Sequence, residues 1–373
     1  VGKDIVISGV GMITPLGDSA ADVWDAVMTR KSAATSPAFA ARDFACPLCA
    51  TITGRPPDTL VPDTRMIRFM NRDAMLAVIA ARRAMQDAQV EIGCHYQPEE
   101  VALVTATGLA GIALEEVSRM VANAAGEDGQ FDLRRFGSVA LRQVRPVLSF
   151  KILSNMPACF VSLSEGIQGF NAVYTPWEGQ GAQAIITAIR AIEHGDAACA
   201  LVGGCDVKAH VLGFIALEQQ GVFESWKRAK VGTIPSEGAC FLVLEERAHA
   251  LARGVPIYAR VADWALGTVI DEEDRAEAAA DILAQVKGEC FDAIVAGGDE
   301  DVVLAEVERK VLAPATSRGD TLHPKKYIGN LFAAAAATQV ALGATWARRR
   351  AGRVLATCFG HGSQQAAFVL EAV

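Results

Sequence analysis

Near-continuous apolar runs such as "VALVTATG" (101–108) and "ACALVGG" (198–204) constrain this chain more than any other feature. A strand that alternates apolar and polar residues can leave one face in water, whereas a run apolar almost throughout must be covered on both faces. The covers are helices, and helical patterns stand between the apolar runs in both halves of the chain. "DIVISGVGMITPLGD" predicts a buried strand and a Gly/Pro loop, followed by a helix near Ala20–Arg30. Met66, Met70, Ala74, Ala77, Val78 and Ala81 then recur at helical spacing. Residues 112–168 read as helices around a loop at "AGEDGQ". Further on, "CFLVLEE", "IYARVADWALG", "FDAIVAGG" and the closing pair in "RVLATCFGHGSQQAAFVLE" read as strands. Between them "RAHALARG", "DEEDRAEAAADILAQVK", "VVLAEVERKVL" and the Ala-dense "NLFAAAAATQVALGATWARRR" read as helices. Alternation of this kind predicts a layered α/β fold. No Pro/Ser-rich linker interrupts it, so two halves sharing one core, 1–235 and 236–373, are the expected division.

Composition narrows the partners. The formal net charge of −8 comes from interspersed acids and bases, which argues against a nucleic-acid face. No apolar run reaches the roughly 18 residues of a membrane span, so a cytoplasmic protein without a membrane span is expected. Two basic clusters stand out, Arg65-Arg68-Arg72 and Arg348 to Arg353. Each reads either as a solvated helix face or as a dock for an acidic partner. The nine cysteines are scattered, several within apolar runs where Cys acts as a small hydrophobe. Cys46 and Cys49 have CxxC spacing, but no second ligand pair and no redox βαβ setting accompany them. No metal and no cofactor are expected.

The segment "NAVYTPWEGQGAQAIITAIRAIEHGDAACALVGGCDV" (171–207) raises the functional question. A strand at Asn171–Thr175 enters a tight turn, and a helix from about Gly181 to His194 follows. Such a strand-turn-helix commonly presents a nucleophile at the helix N-terminus. Here the turn offers Pro176, Trp177, Glu178 and Gly179, and neither Cys nor Ser.

Several stretches, in order, resemble the β-ketoacyl-(acyl carrier protein) synthases of the thiolase fold. They are "VISGVGMITPLGD", "AMQDAQVEI", "IEHGDAACALVGGCDV", "PSEGACFLVLEERAHALARGVPIYARV", "HPKKYIGNLFAAAAA" and "CFGHGSQQAAFVL". The resemblance implies two pseudo-repeated α/β halves in a five-layer α-β-α-β-α arrangement. It also implies a Cys at a helix N-terminus, where the dipole favours thiolate. Two His residues would stabilise the enolate formed by decarboxylation. Placed on this chain, the Cys position falls on Glu178, the first His on Gly297 and the second on Asn330. The family's Lys is retained as Lys325, and its Phe gate is His361. A carboxylate is a poor nucleophile toward a thioester, and glycine donates nothing from a side chain. Condensation by this chain alone is not expected.

Members similar in this pattern are the chain-length-factor (ketosynthase β) subunits that pair with a catalytic ketosynthase. The resemblance implies a heterodimer that shapes an acyl tunnel and works with an acyl carrier protein. The aryl polyene branch is expected from "YTPWEGQGAQ", which carries Glu where polyketide factors carry Gln, and from the short chain. Leu148, Phe150, Ile152 and Met156 become candidates for tunnel wall or, equally, for ordinary core. Arg65 and Arg68 fall where the family meets its acidic carrier. Glu178 reads as a helix-capping or site-locking anion, and Trp177 as a plug or plain packing. A surrogate pairing of His361 with Cys205 is a remote possibility on paper. The competing reading is a self-sufficient decarboxylase or thioester hydrolase using Glu178 or Asp299 as base.

Overall fold

The computed structural model describes residues 3–39, 43–109, 112, 114–286, 288, 290–298, 301–313, 316–317, 319 and 321–373. Its main sheet contains β1 (Ile5–Ile13), β2 (Val101–Thr107), β3 (Asn171–Tyr174), β4 (Cys199–Val207) and β5 (Glu237–Glu246). It continues with β6 (Ala259–Thr268), β7 (Ala293–Val295), β8 (Thr321–Leu322), β9 (Arg353–Cys358) and β10 (Gln364–Glu371). Among its helices, those that recur in matching places between these strands are α1 (Arg72–Asp87), α2 (Met156–Glu165), α3 (Glu178–His194), α4 (Arg275–Gln285), α5 (Val302–Leu312) and α6 (Ala335–Arg350).

The strand order, β8-β7-β9-β10-β6-β1-β5-β4-β2-β3, contains the same motif twice. In β1–β5 the spatial order is third, second, fourth, fifth, first, and β6–β10 repeat it. Directions repeat too. β2 runs parallel to β3 and β4, while β5 is antiparallel to β4 and β1. β7 runs parallel to β8 and β9, while β10 is antiparallel to β9 and β6. Helices fall in matching places, so each set reads β-α-β-α-β-α-β-β. The two sets join only where Val6 and Ile7 of β1 meet Arg260 and Ala259 of β6. β5 pairs within the first set, so a cut at 235/236 would separate it from its sheet partners.

Layering follows from which faces are apolar. α3 and α6 pack against each other and lie between the two strand sets, in the largest buried cluster. α1 and α2 cover the outer face of the first set, and α4 and α5 that of the second. β2 and β4 are buried at every position, as runs covered on both sides must be. The Ala-dense start of α6 is wholly interior, from Ala333 to Ala337. Close approach needs small residues there: a Cβ at Gly181 of α3 would stand 2.6 Å from the Ala333 carbonyl oxygen.

Candidate functional site

α3 starts one turn earlier than its sequence suggests, at Glu178 rather than near Gly181. The Gln180 side-chain oxygen accepts from the Trp177 N–H at 3.2 Å, which fixes the first turn. Glu178 therefore sits at the positive end of the helix dipole, with no exposure to solvent. Its Oε1 accepts from Asn330 Nδ2 at 2.7 Å and lies 3.1 Å from Lys325 Nζ. Both partners are buried as well. Asn330 is itself fixed, since its Oδ1 accepts from Phe332 N–H at 2.8 Å and its backbone bridges Pro235. The structure thus brings together three residues that lie up to 152 positions apart.

Burial is the largest influence on the Glu178 carboxyl and pushes its pKa up. Lys325, His361 and the Asn330 amide together outweigh it and hold the group below its usual value. A carboxylate so held is a weak base. Its ion pair and amide bond are occupied by structural partners, not by a reacting group. Asp299, the other base considered, lies outside the described residues.

Gly297 follows β7. Its N–H lies 2.8 Å from both Glu308 Oε1 and Thr357 Oγ1, while Gly298 N–H donates to Glu308 Oε2 at 2.9 Å. The Thr357 hydroxyl in turn donates to Glu308 at 2.6 Å. A Cβ at Gly297 would lie 2.4 Å from the Thr357 carbonyl oxygen and 2.6 Å from Phe359 N. Gly297, expected at the first histidine position, is therefore closed to a side chain by backbone. Glu308 was missed in the sequence; its one signal is its place four residues after buried Leu304 on the inner face of α5.

His361 is a satisfied polar residue, its Nε2 2.8 Å from Thr233 Oγ1. Its ring lies 6.0 Å from Trp177 and stacks on Phe332 at 6.4 Å. Gly362, at φ +82°, leaves the space that Trp177 fills; a Cβ there would meet the indole at 2.7 Å. Trp177 and His361 line a cleft of about 700 Å³ whose walls include Ser225, Arg228, Arg275 and Asp301. Trp177 also lines a cavity of about 120 Å³ with Leu109, Lys208, Leu212 and Ala216. Lys208 is paired there with buried Asp206.

The remaining expectations are placed as follows. Phe150 and Ile152 are 44% and 43% exposed, Leu148 is half-buried, and Met156 packs into the core of the first set. Arg65 is exposed and paired with Asp63 at 2.9 Å, and the Arg68 guanidinium lies over Phe69. Cys205 is fully buried, and its thiol is raised well above the ordinary value by burial, Asp73 and Asp206. That removes the thiolate a Cys-His pairing would need. Burial likewise raises Cys46 to about 12 and Cys49 to about 11. Among the described residues no group of three or more His, Cys, Asp or Glu could hold a metal ion. None of the described helices is long and apolar enough to cross a membrane.

Similar proteins complete the picture. A 3-oxoacyl-[acyl-carrier-protein] synthase 2 of Coxiella burnetii is 27% identical over 271 residues, 69% of this chain. The chain matches only 62% of that relative's length. Among solved structures, the ishigamide ketosynthase/chain length factor superposes with a TM-score of 0.79 at 18% identity, covering all of both chains. A structure of a type II PKS acyl-carrier protein in complex with its ketosynthase gives 0.77 at 17%, again covering all of both chains. These structural likenesses confirm the thiolase-like ketosynthase fold. Residues 2–250 match the family described as beta-ketoacyl synthase, N-terminal domain, and the chain belongs to the beta-ketoacyl synthase family.

Proposed function

We propose that this chain is a non-condensing, chain-length-factor-type subunit that pairs with a catalytic ketosynthase and shapes its acyl tunnel. One observation carries the reading. Glu178, read as standing at the nucleophile position, is buried and clamped by Lys325 and Asn330, and Gly297 has no room for a side chain. With no Cys at 178 and no His at 297 or 330, condensing chemistry is assigned in this reading to another polypeptide. The relative whose name joins ketosynthase and chain length factor supports this assignment.

The surface supports a partner. Of the nineteen exposed large hydrophobic residues among those described, twelve fall between Leu109 and Phe170. This concentration of exposed apolar residues in one sixth of the chain is the reason to look for a partner interface there. Phe150 and Ile152 belong to it, which suits tunnel wall or interface better than core. Arg65 and Arg68 offer positive charge to an acidic acyl carrier protein, whether it docks here or on the partner. An aryl polyene product fits the Glu at 178.

Co-expression with the ketosynthase encoded nearest to it tests the reading. The expected result is a stable one-to-one complex that elongates malonyl units on carrier, while this chain alone does not. A homodimer of this chain that condenses unaided would overturn it.

A further inference from the structure

The loop that carries His361 is held by two buried side chains from other elements. Arg275, the first residue of α4, is 3% exposed and donates through Nη1 to Gly360 O at 2.8 Å and Gly362 O at 3.1 Å. Gln365 of β10 donates Nε2 to the same two carbonyls at 3.1 and 3.3 Å. Its Oε1 accepts Gly360 N–H at 3.0 Å. Five hydrogen bonds thus converge on residues 360–362, which have no regular structure of their own.

The other edge of Arg275 is clasped by Glu272, with Nε to Oε2 at 2.9 Å and Nη2 to Oε1 at 2.6 Å. That carboxylate reaches the surface, its side chain 77% exposed. Beneath the loop, an added Cβ at Gly360 would lie 2.5 Å from Glu178 Cδ. Outside it lies the cleft of about 700 Å³, to which Arg275, Glu272, His361 and Gly362 all contribute lining.

We propose that Arg275 is a positioning residue that latches the 360–362 loop shut over Glu178, leaving the cleft blind at Trp177 and His361. A glycine-rich loop left to itself is mobile. Here a buried guanidinium adds charge-assisted bonds to two carbonyls that Gln365 also reaches, tying the loop to α4 as well as to β10. Glu272 neutralises the guanidinium from the solvent side, so the latch is released from outside, not from the site. The latch holds whether or not the chain pairs with a ketosynthase.

Hydrogen exchange of the intact chain, read by mass spectrometry, tests this. In Arg275→Ala the amides of residues 359–365 should exchange about tenfold faster, while peptides of α6 keep their wild-type rate. Glu272→Gln, a surface change that leaves Arg275 in place, should accelerate the same peptide to a smaller degree. A second readout places a thiol beneath the loop. In Glu178→Cys, iodoacetamide labelling mapped to residue 178 should be slow, and about tenfold faster once Arg275→Ala is added. Wild-type 359–365 exchanging as fast as the chain termini would overturn the latch, as would unchanged exchange in Arg275→Ala. Should Arg275→Ala fail to fold, unchanged exchange of 359–365 in Glu272→Gln would overturn it equally.

Discussion

Glu178 and Lys325 hold opposite charges where water does not reach, so each depends on the other. Removing one partner of such a pair leaves an uncompensated charge and typically costs about 3–5 kcal/mol. Glu178→Ala and Lys325→Ala should each lower stability to urea by roughly that amount. The double change Glu178→Leu with Lys325→Met should recover most of it, because desolvation of both charges disappears together. The pH dependence has a definite sign. The folded carboxyl lies below its ordinary value of 4.5, so its contribution is full above that value and is lost as pH falls through the folded pKa. Urea midpoints measured from pH 7 to pH 3 should therefore fall more steeply for wild type than for Glu178→Gln. Gly297 carries a second expectation. Since a Cβ there meets backbone at 2.4 Å, the triple change Glu178→Cys, Gly297→His, Asn330→His should destabilise the chain and yield no condensation product from malonyl-carrier. Glu178, and Lys325 together with Asn330, could be singled out in the sequence because the first precedes, and the other two fall within, stretches that carry the family resemblance. Glu308 and Arg275 could not, because their roles depend on which distant backbone groups they reach.

Among the elements, most were readable, including the four-residue β3 and the short helix Arg247–Arg253, and the shortest strand of the main sheet, β8, was not. α5 matches its sequence pattern end to end, and α6 follows the Ala-dense run after one short turn at Phe332–Ala334. β7 and β8 have three and two residues, too few for a period-two pattern to register; β7 lies within a longer apolar run, and β8 was missed. The start of α3 was misplaced because Pro176, Trp177 and Gly179 all read as turn residues, while the bond from Trp177 N–H to Gln180 decides otherwise. The α3–α6 contact gives this scale its test. Gly181 faces the Ala333 carbonyl and the Ala336 methyl, so Gly181→Val forces the central helices apart. Overpacking of a close-packed interior costs about 1–3 kcal/mol, and the thermal midpoint should fall accordingly. Val at Gly195, the exposed helix end whose Cβ site is open but whose φ is +84°, should lower it through backbone strain instead.

At the scale of the whole molecule, alternation of strand and helix was enough to predict layers, while the repeat was expected only through the family resemblance. Strand order is a property of pairing, and pairing partners lie far apart in sequence. The same limit applies to the segment between Leu109 and Phe170: helices were expected there and are present at Leu114–Asn123 and Met156–Glu165, but which apolar residues stay exposed is decided by packing. The proposed interface there rests on exposure instead. Phe150 and Ile152 are 44% and 43% exposed, and Phe150 meets the Phe69 ring at 5.9 Å, so replacing both with Asp removes part of their packing and should cost about 1 kcal/mol of urea stability each. In a complex with a ketosynthase the same carboxylates would have to enter an apolar interface without partners, at a cost of several kcal/mol. Size-exclusion and native mass spectrometry of the co-expressed pair should therefore show the one-to-one complex lost in the double variant, while the free chain stays folded. Ile270→Asp, at a residue 88% exposed and outside that face, supplies the contrast and should leave the complex intact. If both variants pair normally, the apolar surface between Leu109 and Phe170 is not where the partner binds.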